Sequence, residues 1–309
     1  MVTKDELFEQ VLEYPDPAAQ ERLAGLVGID DIKQRVVTEA TLLLDDRILE
    51  HWSTTHHGGM TRAAAEVTQR TPLLVFAGDV GTGKTELAES FCDAVARSMK
   101  VDITLFPLSL SARGKGAVGE MTSLLTGAFG IVRDAALKGR DSQGRVRRAV
   151  VLLVDEGDAL AQSRDLGQMH HEDRAGVNAL IRGIDQLRSD RLPVLTVLCT
   201  NRPDALDPAI LRRAAKVFRF GRPGDEQRLA LLTRLLAGCD IEPSDVDKVV
   251  ALTGPGADRG YGATYSDIRQ RLIPEAVLDA VAWDVPLTGA RLIELAETFE
   301  PTRPFGTEI

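Results

Sequence analysis

The sequence predicts an α/β fold, a parallel sheet sandwiched by helices and followed by a small all-helical domain, and three observations carry that prediction. Apolar runs of strand length recur at residues 73–76, 103–108, 149–154, 194–201 and 216–220, with helix-length segments between them. A glycine-rich turn, residues 78–85, joins the first run to a helical stretch. Beyond Gly221-Arg222-Pro223-Gly224 only helical spacing remains. The expected organisation is therefore an N-terminal helical segment over 1–24, a large α/β domain with its leading linker over 25–221, and a helical lid over 222–309.

Taken in order, residues 5–14 read as a short amphipathic helix stopped by Pro15. Gly25 and Gly28 break the pattern, and a long helix is expected from Asp30, with Ile32, Val36, Ala40, Leu43, Leu44 and Ile48 at helical spacing. His51 and Trp52 near its end read as a satisfied histidine and a packed tryptophan. Residues 56–60 read as a loop whose paired histidines lack the carboxylate or cysteine company of a metal site. After the helix of 86–99 and the second apolar run comes a Gly/Ser/basic loop, 109–119, and then a helix over 120–137. The connection 138–148 carries Arg140, Arg145, Arg147 and Arg148 without interleaved aromatics for base stacking, so a solvated loop is expected. In the lid, Leu229, Leu232, Leu235 and Leu236 mark one helix. Ser244 with Asp247 caps a second bearing Val246, Val249 and Val250. A third, through Ile268, Leu272, Ala276 and Ala280, should kink at Pro274, and 288–298 forms a fourth.

Composition narrows the function. The chain has 309 residues, 44% of them hydrophobic and 27% charged, with a formal charge of −9. Such a surface repels a nucleic-acid backbone and argues against that partner. Cys92, Cys199 and Cys239 form no C-x-x-C pair and read as reduced, buried thiols of a reducing compartment. The charged N-terminus lacks the apolar core of a signal peptide, and no apolar stretch approaches the ~20 residues that cross a bilayer. A cytoplasmic protein without a membrane partner is expected.

The chemistry is concentrated at strand ends. Residues 78–85, G-D-V-G-T-G-K-T, fit the P-loop pattern G-x-x-x-x-G-K-[ST]. Gly78, Gly81 and Gly83 allow a tight turn, so that the N–H groups from Asp79, Val80 and Thr82 onward surround phosphate oxygens. Lys84 reaches the β/γ-phosphates and the Thr85 hydroxyl can hold Mg²⁺, while the helix that begins here, with Glu86, presents its positive end to the same phosphates. The run A-V-V-L-L-V ends in Asp155 and Glu156 at the sheet edge where parallel folds place ligands. Asp155 is placed to hold the magnesium and Glu156 to polarise the water that attacks the γ-phosphate. Asn201 ends the fourth run and would help position that water. Arg212 and Arg213 follow in L-D-P-A-I-L-R-R-A.

Together these motifs resemble the AAA+ ATPases over nearly the whole chain, which implies a P-loop AAA+ module with ATP and Mg²⁺ as its ligands. The segment L-V-G-I-D-D-I-K-Q-R (26–35) is similar to the linker that packs on adenine in that family, through Val27 and Ile29. The resemblance implies a homohexameric ring in which Arg213 is the finger that enters the neighbour's site, supported by Arg212. Two stretches, 109–120 and 173–187, resemble the HORMA-remodelling, pachytene-checkpoint branch, whose bacterial relatives serve phage defence. The chain lacks a sizeable N-terminal adaptor domain, as would suit that setting. The branch implies a motor that opens a HORMA-domain protein by pulling its N-terminus through a central pore, lined here by Arg113, Lys115, Ala117, Val118, His170 and His171. Two departures stand out: Ala117–Val118 replaces the usual pore aromatic, and Asp267 occupies a lid position where many relatives carry a sensing arginine, leaving Arg269 or Arg271 for that role. A general unfoldase or assembly chaperone, a DNA-handling loader and a nucleotide-gated scaffold remain as alternatives. A GTPase is disfavoured because Asp158 stands where its D-x-x-G motif needs glycine.

Overall fold

The structure is a computed structural model that describes residues 7–8, 10–110, 120–160, 171–202, 204, 206–256 and 259–305. It forms two compact units, one from residues 1–24, 31–77 and 85–219, the other from 25–30, 78–84 and 220–309.

The first unit is built on the sheet. Strands β1 (Leu12–Tyr14), β2 (Leu73–Gly78), β3 (Asp102–Ser109), β4 (Arg148–Asp155), β5 (Val194–Thr200) and β6 (Lys216–Phe220) lie in the order β1-β3-β4-β5-β2-β6. The pairs β3–β4, β4–β5 and β5–β2 are parallel, and β1, at one edge, is antiparallel to β3. Leu73, Val75, Val150, Leu152, Val154 and Leu198 join residues of the helices Glu120–Ala136 and His171–Ser189 in one apolar core. Strands covered on both faces need unbroken apolar runs, which is why four of them are plain in the sequence. The parallel register sets Ser109 beside Asp155 and brings the C-terminal ends of β3, β4 and β5 to one edge.

Several expectations are corrected here. Leu12–Tyr14 is a strand paired with residues 103–105, not the end of a helix. Pro15 disfavours the helical region for Tyr14, and pairing with β3, helped by the Thr104 hydroxyl donating to Glu13 at 2.9 Å, takes up the extended chain. A helix over Pro17–Gly25 follows that the sequence pattern did not show. The long helix from Asp30 stops at Leu44, and a second runs over Arg47–His57. Asp45 divides them by accepting the Arg47 amide at 3.3 Å. His56 and His57 therefore close a helix instead of opening a loop, with Gly58 left-handed at φ 74° as its cap. Trp52 is not packed; it is 46% exposed and meets solvent beside the His56 and His57 rings. Cys92 and Cys199 are buried, whereas Cys239 is exposed.

The connection 138–148 is folded around Asp141, which accepts the Gln143 and Arg145 amides at 2.9 Å and pairs with Arg147 at 3.0 Å. Arg140 turns to Asp45 and Asp46.

In the second unit the helices Asp225–Leu235, Pro243–Leu252, Ile273–Ala282 and Gly289–Thr298 enclose a core of Leu231, Leu232, Val249, Ile268, Leu272 and Leu292. The cap of Pro243–Leu252 is Glu242 with Pro243 in the first turn, not the Ser244–Asp247 box. Ahead of Pro274 the helix widens to a π-turn over Ile268–Leu272, with the Ile273 amide bonded to Ile268 O. This wide turn takes the place of the expected kink and accommodates a residue that cannot donate.

Candidate active site

The phosphate-loop sequence does take the shape its glycines predict. Gly81 and Gly83 are left-handed, at φ 73° and 92°, and a Cβ on Gly78 would collide with the Phe220 carbonyl. The Thr82 hydroxyl, buried, donates to Asp79 O at 2.7 Å. Lys84 bends back over the loop and donates to Gly78 O at 3.0 Å and Asp79 O at 2.7 Å. Phosphate oxygens would offer that ammonium a stronger, charged partner than two carbonyls. Val80 is exposed on the rim. Ile29 is buried and Val27 packs on the helical core of the same unit. Lys84 begins the helix Lys84–Met99. In the sheet unit, Thr85 is exposed on its first turn, and Glu86 pairs with Arg22 at 3.2 Å.

At the sheet edge, Asp155 ends β4 and accepts the Glu156 amide at 2.8 Å. Glu156 is left-handed at φ 55°, a conformation that costs a non-glycine residue roughly 1 kcal/mol or more and turns its side chain out of the strand. The Ser109 hydroxyl donates to Glu156 Oε2 at 2.7 Å. Gly157 lets the chain pass against β5, where a Cβ would lie 2.6 Å from Leu198. Asp158 then fastens β4 to β5. It accepts from the Thr200 hydroxyl at 2.5 Å and from the amides of Asn201 at 2.9 Å and Arg202 at 3.1 Å, and its second oxygen takes the Asn201 side-chain amide at 3.0 Å. Asp155, Glu156 and Asn201 thus share one edge. Asp158, which the sequence reading passed over as a functional group, fixes the Asn201 side chain, and Ser109, likewise passed over, meets Glu156. The D-E-G-D spacing sets Asp158 close to the acidic pair but does not show its partners, and nothing in the sequence marks Ser109.

Arg213 lies beyond the short helix Pro208–Leu211 and pairs with Asp185 at 3.3 Å. With Arg188, Arg191 and Arg212 it lines a cleft of about 640 Å³ in which, among the described residues, Asp185 is the one acid, an environment for an anion. Arg113, Lys115, Ala117, Val118 and His170 lie outside the described residues, and His171 begins the helix His171–Ser189.

Asp267 is a buried cap, bonded to the Thr264 and Thr302 amides at 2.9 and 3.1 Å and to Arg271 at 2.9 Å. Burial raises its carboxyl, but these bonds outweigh burial and hold it below the ordinary aspartate value. Arg271 also covers the Phe299 ring at 4.9 Å.

A glycine-rich loop ending in Lys84 in one unit, and an acidic pair and an asparagine at parallel strand ends in the other, are the parts expected of a P-loop module. Residues 74–222 match the model of the ATPase family associated with various cellular activities (AAA), and the chain belongs to that family. It is 49% identical over 301 residues to CD-NTase-associated protein 6 of Escherichia coli strain MS 115-1, covering 97% of this chain and 96% of that protein. A chain in the structure of the E. coli MS115-1 HORMA:CdnC:Trip13 complex is 48% identical, with a TM-score of 0.90 over 98% of this chain and 99% of that one. Rhizobiales Trip13 is 42% identical, with a TM-score of 0.75 over 96% and 100%. As a family member the chain is a nucleotide-binding ATPase, and among its described residues no helix is long and apolar enough to cross a membrane.

Proposed function

We propose that this chain is a cytoplasmic, homohexameric ATP-driven motor that remodels a HORMA-domain protein by drawing its N-terminus through a central pore. The observation that carries this reading is likeness along almost the whole chain to a chain of the HORMA:CdnC:Trip13 complex, together with likeness to Rhizobiales Trip13. The amides of residues 78–85 and Lys84 hold the β/γ-phosphates, and Val27 and Ile29 flank the base. Thr85 and Asp155 supply a hydroxyl and a carboxylate, the oxygen donors that Mg²⁺ takes alongside phosphate and water. That ion, when bound, would offset phosphate charge. Glu156 takes the proton of the attacking water, and Asn201, held by Asp158, orients it.

Arg213, with Arg212, stabilises charge on the neighbour's phosphoryl group. Two observations support a ring with unlike faces. The arginine cleft is open to an anionic partner, and each unit exposes its own apolar surface, Trp52 on one and Leu278, Val281 and Trp283 on the other. Arg113, Lys115, Ala117, Val118, His170 and His171 would meet the polypeptide. The closure of 138–148 on Asp141, Asp45 and Asp46 counts against a nucleic-acid track there.

The deciding experiment measures turnover of the assembled chain with and without a HORMA-domain protein. Stimulation by that protein, and its capture by Glu156→Gln with ATP, supports the reading; stimulation by DNA alone overturns it. Glu156→Gln should lower kcat by about 10²–10⁴-fold with ATP still bound. Arg213→Ala should abolish hydrolysis, and mixing it with Lys84→Ala should restore some at hybrid interfaces. A monomer that hydrolyses ATP at full rate would remove the ring from the mechanism.

A further inference from the structure

Asp79 places a carboxylate inside the loop whose amides receive phosphate, a charge of the wrong sign for its setting. Both of its oxygens are engaged. Oδ1 accepts the Val80 amide at 2.8 Å, and Oδ2 accepts Arg222 Nε at 2.7 Å. The ion pair is sheltered, with the Arg222 and Asp79 side chains 12% and 16% exposed. The same guanidinium donates to Gly262 O at 2.7 Å and lies over the Tyr261 ring at 5.0 Å. Close by in sequence, the Ser266 amide donates to Gly81 O at 3.1 Å, and Thr264 and Ser266 fill the space a Gly81 side chain would need. All of these groups belong to one compact unit. Arg271, one of the two arginines expected to act from the lid, is instead engaged by Asp267 and Phe299.

We propose that Arg222 is a positioning residue for nucleotide binding. It neutralises Asp79, keeps that carboxylate, which already accepts the Val80 amide, from taking further loop amides and Lys84 from phosphate, and holds the loop on residues 261–266. The inference rests on phosphate binding at residues 78–85. A carboxylate released from its guanidinium has the loop N–H groups as its nearest alternative donors, and each one it takes is lost to the ligand. Arg222 therefore acts through Asp79, and its removal should matter only while Asp79 is charged.

The test is a double-mutant cycle on the full chain, read as Kd for Mg-ATP and for ADP. Arg222→Gln should weaken ATP binding about tenfold or more, whereas the same change made on Asp79→Asn should cost about threefold or less. An unchanged Kd in Arg222→Gln, or an equal loss in both backgrounds, overturns the proposal. Should Arg222→Gln not fold, amide exchange in nucleotide-free Asp79→Asn carries the test: several-fold faster exchange at Ser266 supports the link, and unchanged exchange overturns it. A wild-type chain that binds neither nucleotide would sink the phosphate reading along with this one, whereas normal wild-type binding with an indifferent Arg222→Gln sinks this one alone.

Discussion

In the loop over 78–85 the shape is made by backbone: two left-handed glycines, a third that no side chain could replace, and carbonyls that receive Thr82 and Lys84. At the β4–β5 edge it is made by one side chain, Asp158, whose two oxygens gather four donors from Thr200, Asn201 and Arg202. The difference follows from what each region is proposed to hold. A polyanion is met by many weak donors at once, which only a bare backbone can crowd together. A single water needs one amide and one carboxylate in fixed directions, which calls for a buried polar anchor. The loop should therefore fail when a Cβ is added, the edge when a carboxylate is taken away.

The largest effect is expected at the edge. Asp158→Ala leaves the Thr200 hydroxyl and the Asn201 amide without their acceptor and lets Asn201 turn. We expect kcat to fall about 10²-fold with ATP affinity changed by less than about threefold. Asp158→Asn should recover part of the loss. If KM rises in step with the fall in kcat, Asp158 serves the edge's general integrity and not its catalytic geometry.

In the loop, Gly81→Ala places a methyl at φ 73°, 2.7 Å from the Thr264 hydroxyl oxygen, whereas Gly59→Ala meets open space. The first should weaken ATP binding roughly tenfold and cost about 1–2 kcal/mol of stability, and the second should do neither. Equal behaviour of the two would mean that the loop tolerates rearrangement and does not depend on its glycines.

What the sequence made legible divides along the same line. The loop is a spacing of glycines around a lysine, so it can be read without knowing its neighbours. The β2–β5 runs are legible because strands covered on both faces need apolar residues without interruption. Asp155 and Glu156 follow from position at a strand end. Arg222, Ser109 and the role of Asp158 were not legible, because each depends on a partner far away in sequence: Asp79, Glu156 and Asn201. Leu12–Tyr14 misled because its amphipathic pattern suits a helix locally, and only β3 makes a strand of it. Asp267 shows in the sequence only as a departure from a sensing arginine; its task as a cap depends on Thr264 and on the distant Thr302.

That cap gives a pH-dependent contrast. The Asp267 carboxyl is held below its ordinary value in the folded chain, so its contribution is fully present above the ordinary aspartate range. It is lost as pH falls through that range toward the folded value. At neutral pH, Asp267→Asn should speed amide exchange at Thr264 and Thr302 by about tenfold, the equivalent of one or two lost charged hydrogen bonds. As pH falls below the ordinary aspartate range toward the lower folded value, the wild type should approach the variant, because its own carboxyl then protonates. A difference that persists unchanged into acid would mean that shape, and not charge, makes the cap.

The smallest effect belongs to Ser109, where the edge departs from its own pattern. Asp158 is bound by four donors, but Glu156 is met by the Ser109 hydroxyl from the neighbouring strand and stands in a strained backbone conformation. A group that must accept a proton from water gains nothing from a donor that occupies its oxygen. In the role proposed for Glu156, the hydroxyl competes with the water that the carboxylate activates. Ser109→Ala removes that competitor and leaves the β3–β4 register, which is made by backbone, untouched. Turnover should rise by about two- to fivefold with ATP affinity unchanged, a fraction of what a hydrogen bond to a carboxylate is worth, because water takes the place of the lost donor. A fall in turnover of similar size would assign Ser109 the opposite task, holding Glu156 toward the phosphate, and would place it with Asp158 as a part of the edge that fixes direction.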